Sequence, residues 1–220
     1  MTSVANQLKN SIDTWAEVLR TSPLRDLVER GQITPQALCL YLESLRYMFR
    51  QSEANVRVAA ARCEDLELKP LLSYFRSKAR EEDGHDQWAV NDLSRLPEEI
   101  TSGIQPARAI VKLVELQTAL IAEHPLCFVA LIVWSEYTTA LLGEEWLNAL
   151  EVSGYSREQL SAVAKHIDAD KGHASRGFRD LDELWTGDVA LNVILDAVRR
   201  AQGLFESFCL EIYDVAQRAA

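Results

Sequence analysis

The sequence is poor in residues that interrupt helices and has no paired cysteines of the kind that hold structural zinc. Nine glycines and six prolines are spread over 220 residues. They stand mostly at the edges of apolar-periodic stretches, so long helices are allowed, and no alternating strand or hairpin pattern is visible. Cys39, Cys63, Cys127 and Cys209 form no Cys-x-x-Cys pair, which argues against a zinc knuckle, a redox dithiol or a secreted disulfide framework and predicts a reduced, cytoplasmic setting. Basic residues are in deficit: 23 Lys and Arg against 33 Asp and Glu leave a net charge of -10. Such a surface repels phosphate backbones and anionic lipid, so neither nucleic acid nor a membrane is expected as a partner. Residues Met1 to Asn10 lack the basic and apolar regions of a signal peptide. The most apolar run, Leu126 to Trp134, is too short to cross a bilayer. A single domain spanning 1–220 is expected, large enough to bury its own core.

What the sequence does contain is helical periodicity. A first helix is predicted from about Val4 to Arg20, and Ser22-Pro23 opens a short second one that Gly31 ends. Thr34-Pro35 opens a long helix to about Arg62, with Leu38, Tyr41, Leu45, Met48, Phe49, Val56 and Ala59 on one stripe. Another is predicted from about Pro70 to Leu96, and another from Pro106 to His124. A very apolar helix then runs from Pro125 through Leu142, where Gly143 is expected to break or bend it. Ser156 with Gln159 makes a capping box for a helix ending near Gly177, and Asp188 caps a last one through about Ala216. The class is therefore all-α, a bundle in whose core facing helices can build a metal or ligand site.

Three groups of residues carry chemistry. His166, Asp170 and His173 are spaced by four and seven, so at about 100° per residue they project from one helix stripe. Imidazole and carboxylate together suit iron, manganese or zinc, and the absence of cysteine disfavours structural zinc; the competing reading is a solvated polar face. Glu82 and His85, three apart, are neighbours if that segment is helical. Glu136 lies in a helix apolar on most sides, where an ionised carboxylate must be paired, protonated or bound to a cation.

Carboxylate-bridged di-iron bundles draw one Glu from each of two helices and a carboxylate-x-x-His pair from each of two others. Glu82-x-x-His85, Asp170-x-x-His173 and Glu136 supply most of that set, and His166 adds a ligand. A remaining carboxylate is expected from the long helix after Thr34, where Glu43 and Glu53 compete; the helical wheel puts Glu53 beside the apolar stripe and Glu43 away from it. The expected metal ligands are thus Glu53, Glu82, His85, Glu136, His166, Asp170 and His173, all but Glu53 also taken as catalytic. They would hold two Fe(II) ions, with manganese accepted by the same atoms, and dioxygen as co-substrate.

The segment Glu81 to Leu93, the stretch from His124-Pro125 to Glu136, and His166-x-x-x-Asp170-x-x-His173 together resemble the haem-oxygenase-like, TenA-like superfamily. Within it they are most similar to the iron-containing redox enzymes, the haem-oxygenase-like di-iron oxidases. The resemblance implies a seven- to eight-helix fold without bound haem, a labile metal pair and a homodimer. It also implies oxygen-dependent chemistry on a small amino-acid-, amine- or fatty-acid-like molecule, such as N-oxygenation, carbon–carbon cleavage or decarboxylation. One subgroup consumes its own tyrosine, a role open here to Tyr41, Tyr47, Tyr74 or Tyr137. Two other classes compete: a TenA-type hydrolase using Cys127 with Glu206, and a metal- or ligand-binding bundle without turnover.

Overall fold

The computed structural model describes residues 3–219, which form ten helical segments. In chain order these are α1 (Val4–Arg20), α2 (Pro23–Glu29), α3 (Pro35–Asp65), α4 (Lys69–Glu81), α5 (His85–Leu93), α6 (Glu98–Thr101), α7 (Arg108–Glu123), α8 (Pro125–Val152), α9 (Ser161–Leu184) and α10 (Leu191–Ala219). No strand occurs among the described residues.

Local chemistry sets most of the starts. Ser3, Ser22 and Thr34 each accept a backbone N–H from the first turn of α1, α2 and α3, and Pro stands in the first turn of α2 and α3, where its missing N–H costs nothing. At α8 the cap is an imidazole: His124 Nδ1 accepts from the Leu126 N–H at 3.1 Å. The α9 start is capped from a distance, since Asp92, buried on α5, accepts from Ser161 Oγ and from the Ala162 N–H. The Ser156–Gln159 capping box forms, but it closes only a turn, and α9 begins at Ser161.

Two expectations about continuity fail. The helix predicted from Pro70 to Leu96 is broken at Glu82–Gly84, because Gly84 takes a left-handed conformation (φ 80°) that glycine adopts without steric cost. The break predicted at Gly143 does not occur. α8 continues unbroken to Val152, and Gly143 is instead a point of close approach to α9: a Cβ there would lie 2.5 Å from Ile167 Cγ1.

α8 forms the centre of the bundle. It packs on α9 most extensively and also on α1, α2, α3, α7 and α10, and Leu126–Leu131, Val133 and Trp134 are buried. By length and composition it is the one described helix able to cross a membrane, and 56% of its apolar window is buried inside the fold. This is the exposure pattern of a core helix surrounded by others. α4 and α5 lie against α3, and α5 also meets α9. The α4–α5 turn, the middle of α8 and the middle of α9 therefore converge.

Candidate metal centre

Two clusters of ligand-type side chains stand at that convergence. Glu82, His85 and His166 offer ligand atoms within 4.8 Å of one another, and so do Glu136, Asp170 and His173. The α9 stripe thus does not serve one point. His166 joins the first triad, while Asp170 and His173, four and seven residues on, join the second; at 1.5 Å per residue that is roughly 6–10 Å along the helix.

Glu82 and His85 come together for a reason other than helical spacing. Glu82 is the residue that caps the end of α4, Gly84 takes the left-handed turn, and the His85 N–H donates back to the Glu82 carbonyl at 3.3 Å. The turn leaves His85 Nδ1 3.4 Å from Glu82 Oε2. His85 stacks on Trp88 (centroids 4.3 Å), and His166 stacks almost parallel on Phe49 (4.0 Å, 4°) while meeting His85 edge-on at 4.9 Å. Aromatic faces thereby fix both imidazole planes.

The expected ligand from α3 is absent from both triads. Glu53 is partly exposed and paired with Arg57 at 2.9 Å, and Glu43, although buried, is held by both nitrogens of a forked contact to Arg46. The stripe that α3 turns inward presents Phe49 at this level, so its contribution is a ring against His166 rather than a carboxylate. The structure thus places Glu53 in an ion pair with Arg57, outside both triads.

Glu136, the carboxylate in the apolar helix, has a partner that sequence reasoning missed. Lys78 Nζ lies 2.5 Å from Glu136 Oε1 and 2.9 Å from Glu81 Oε2, with only 9% of its side chain exposed. Glu81 also approaches His173 Nε2 at 3.7 Å. The signal for Lys78 was present: Leu71, Phe75 and Lys78 are the buried residues of α4, spaced as one stripe.

The electrostatics suit bound cations. Burial pushes the Glu82 carboxyl upward, but the His85 imidazole beside it, with the charges of His166 and Lys78 beyond, holds it below its ordinary range. Burial pushes the His166 imidazole down, so it is neutral and can act as a ligand. The Asp170 carboxylate raises His173. Burial acts against the Lys78 ammonium, yet Glu136 and Glu81 outweigh it and raise its pKa. The Tyr74 hydroxyl is buried without a partner and is pushed well above its usual value by burial and by Glu136.

A metal fits these residues on one further observation. His85 Nδ1, His166 Nδ1 and Glu136 Oε2 are buried and have no hydrogen-bond partner, a costly arrangement unless a cation completes it. Glu82, Glu136, His166 and Asp170 face a mainly apolar cavity of about 220 Å³, walled by residues such as Met48, Phe49, Phe128 and Phe208.

No protein-family model and no curated protein matches the sequence. Solved structures do match. A domain of unknown function with a haem oxygenase-like fold from Shewanella denitrificans superposes with a TM-score of 0.84 at 18% identity, over 99% of this chain and 94% of that one. A TenA homologue from Pseudomonas syringae gives 0.70 at 13% identity over 98% and 93%. A CADD-like protein of unknown function from Nostoc punctiforme gives 0.68 at 11% identity over 96% and 98%. The chain has the haem-oxygenase-like fold and carries two candidate metal-binding triads within it.

Proposed function

We propose that this protein is a non-haem iron oxidoreductase that activates dioxygen against a small organic substrate. The observation that carries the reading is the set of unpartnered ligand atoms, His85 Nδ1, His166 Nδ1 and Glu136 Oε2, of which His166 and Glu136 line an apolar cavity. Iron, or manganese in the same ligands, would supply the electrons that dioxygen needs. Glu82, His85 and His166 would hold one ion, and Glu136, Asp170 and His173 a second. Phe49 and Trp88 keep the imidazoles oriented, and the aromatic and aliphatic walls exclude water and accept the apolar part of a substrate. The substrate, a small amino-acid-, amine- or fatty-acid-like molecule, the homodimer and the cytoplasmic setting belong to the same proposal, supported by the fold likeness and the acidic, disulfide-free composition.

The hydrolase alternative finds less support. The Cys127 thiol is pushed up to about 11 by burial and does not line the cavity, and Glu206 accepts the Trp15 indole N–H at 2.6 Å. A thiol so placed is a poor nucleophile.

The test is anaerobic loading with Fe(II), metal counting, and then oxygen uptake measured with candidate substrates. Wild type is expected to retain iron and consume oxygen, and His166→Ala to lose both. Iron retained with no oxygen uptake would favour the binding bundle. Hydrolytic activity that vanishes in Cys127→Ala but persists in His166→Ala would overturn the oxidase reading.

A further inference from the structure

The two triads differ in one respect. No lysine or arginine forms a hydrogen bond or ion pair with Glu82, His85 or His166 among the described residues, whereas the second triad has an ammonium inside it. Lys78 Nζ donates to Glu136 Oε1 and to Glu81 Oε2, and His173 Nδ1 stands 3.7 Å from that same Glu136 oxygen. The lysine is not a surface side chain that happens to reach inward. It occupies the buried stripe of α4 with Leu71 and Phe75, so the packing of α4 on α3 delivers its charge to this position.

Glu136 has two oxygens in different states. Oε2 is buried and unpartnered, so a single ion can use it. Oε1 is taken by Lys78, and a carboxylate that bridges two ions, or chelates one with both oxygens, needs that atom as well. A divalent ion placed there would also face a positive charge at hydrogen-bond range, in surroundings too dry to screen it.

We propose that Lys78 makes the centre unequal: its ammonium serves as a built-in cation of the Glu136–Asp170–His173 triad, so one metal ion settles at Glu82, His85 and His166, and a second enters only by displacing Lys78. This rests on the metal-dependent reading above and adds an order of filling to it.

The test is stoichiometry rather than turnover. The metal-free full chain is titrated anaerobically with Fe(II), and separately with Mn(II) as a redox-quiet probe, then desalted and its metal counted. Wild type is expected to keep one ion per chain, and Lys78→Met, which retains the stem without the charge, to keep two. In a second comparison that does not depend on that variant folding, His166→Ala is expected to lose the retained ion and His173→Ala to keep it. Two ions kept by wild type, a single ion kept by folded Lys78→Met, or loss of the ion in His173→Ala but not in His166→Ala overturns the unequal filling while leaving the metal-dependent reading intact. Wild type that keeps no metal overturns both.

Discussion

At the scale of single residues, the centre is defined by atoms left without partners. A buried polar atom lacking a hydrogen bond costs about 1–3 kcal/mol, and His85 Nδ1, His166 Nδ1 and Glu136 Oε2 are three such atoms. Their surroundings are tight. A Cβ at Gly177 would lie 3.1 Å from Val133 Cγ2 and 3.3 Å from Glu136 Oε2. Gly177→Ala should therefore move Glu136, lowering metal affinity by about the 10-fold or more seen when a ligand's support is disturbed. Fold stability should change by less than about 1 kcal/mol, because alanine's helix propensity offsets the crowding. Metal titration beside a urea melt checks this, and unchanged affinity would remove Gly177 from the site. His166, Asp170 and His173 were readable at this scale because their spacing places them on one stripe. Lys78 was overlooked because a lysine beside other charged residues reads as solvated unless its spacing from Leu71 and Phe75 is counted. Glu53 stands apart from both triads, and the wheel shows its direction but not that Arg57, one turn on, holds it.

At the scale of helices, α8 and α9 place the candidate ligands by how closely they approach. A Cβ on Gly143 would meet Ile167 Cγ1 at 2.5 Å, a distance that forces the Ile167 side chain or one of the two helices to shift. Gly143→Ala is expected to destabilise by about 1–3 kcal/mol, the usual cost of overpacking. Combining it with Ile167→Ala should cost less than the sum of the single changes, and additive losses in a double-mutant cycle would contradict the close approach. The start of α8 brings a pH dependence. His124 Nδ1 caps the helix as an acceptor, which requires a neutral ring, and burial lowers its pKa below the ordinary 6.5. The unfolded chain therefore takes up the proton first as pH falls. The cap's contribution, about 0.5–2 kcal/mol, is present above about 6.5 and lost as pH drops through the lowered folded value. Urea melts of the metal-free protein at pH 8 and pH 5 should show a steeper loss for wild type than for His124→Asn, whose amide caps without titrating. Equal slopes would mean the imidazole cap is not what titrates. The helix ends were mostly visible beforehand in Ser22-Pro23, Thr34-Pro35 and Pro125. The break at Gly84 was not, because a glycine inside an otherwise helical pattern either remains helical or turns left-handed, and the local sequence does not choose.

At the scale of the whole molecule, metal binding should register as stability. An ion that binds the folded chain alone, at 100 times its Kd, adds about 2.7 kcal/mol, which for a domain of this size raises Tm by roughly 5–10 °C. Thermal melts with and without Fe(II) or Mn(II), and after chelation, test this; an unchanged Tm would show that the triads do not hold metal in solution. The acidic surface, net charge -10, favours approach of cations over anionic polymers.

The sequence by itself determined the helical class, most helix starts and the residue types able to bind a metal, because periodicity, caps and turn residues act over a few neighbours along the chain. Tertiary packing decided the rest: that His166 parts from Asp170 and His173 to serve a different triad, that Glu82 meets His85 across a turn, that Phe49 faces the site in place of a carboxylate, and that Lys78 reaches Glu136. A helix sets the direction in which a side chain leaves it, but the partner it finds depends on how far away and at what angle the next helix passes, and that is settled by core contacts far apart in the sequence.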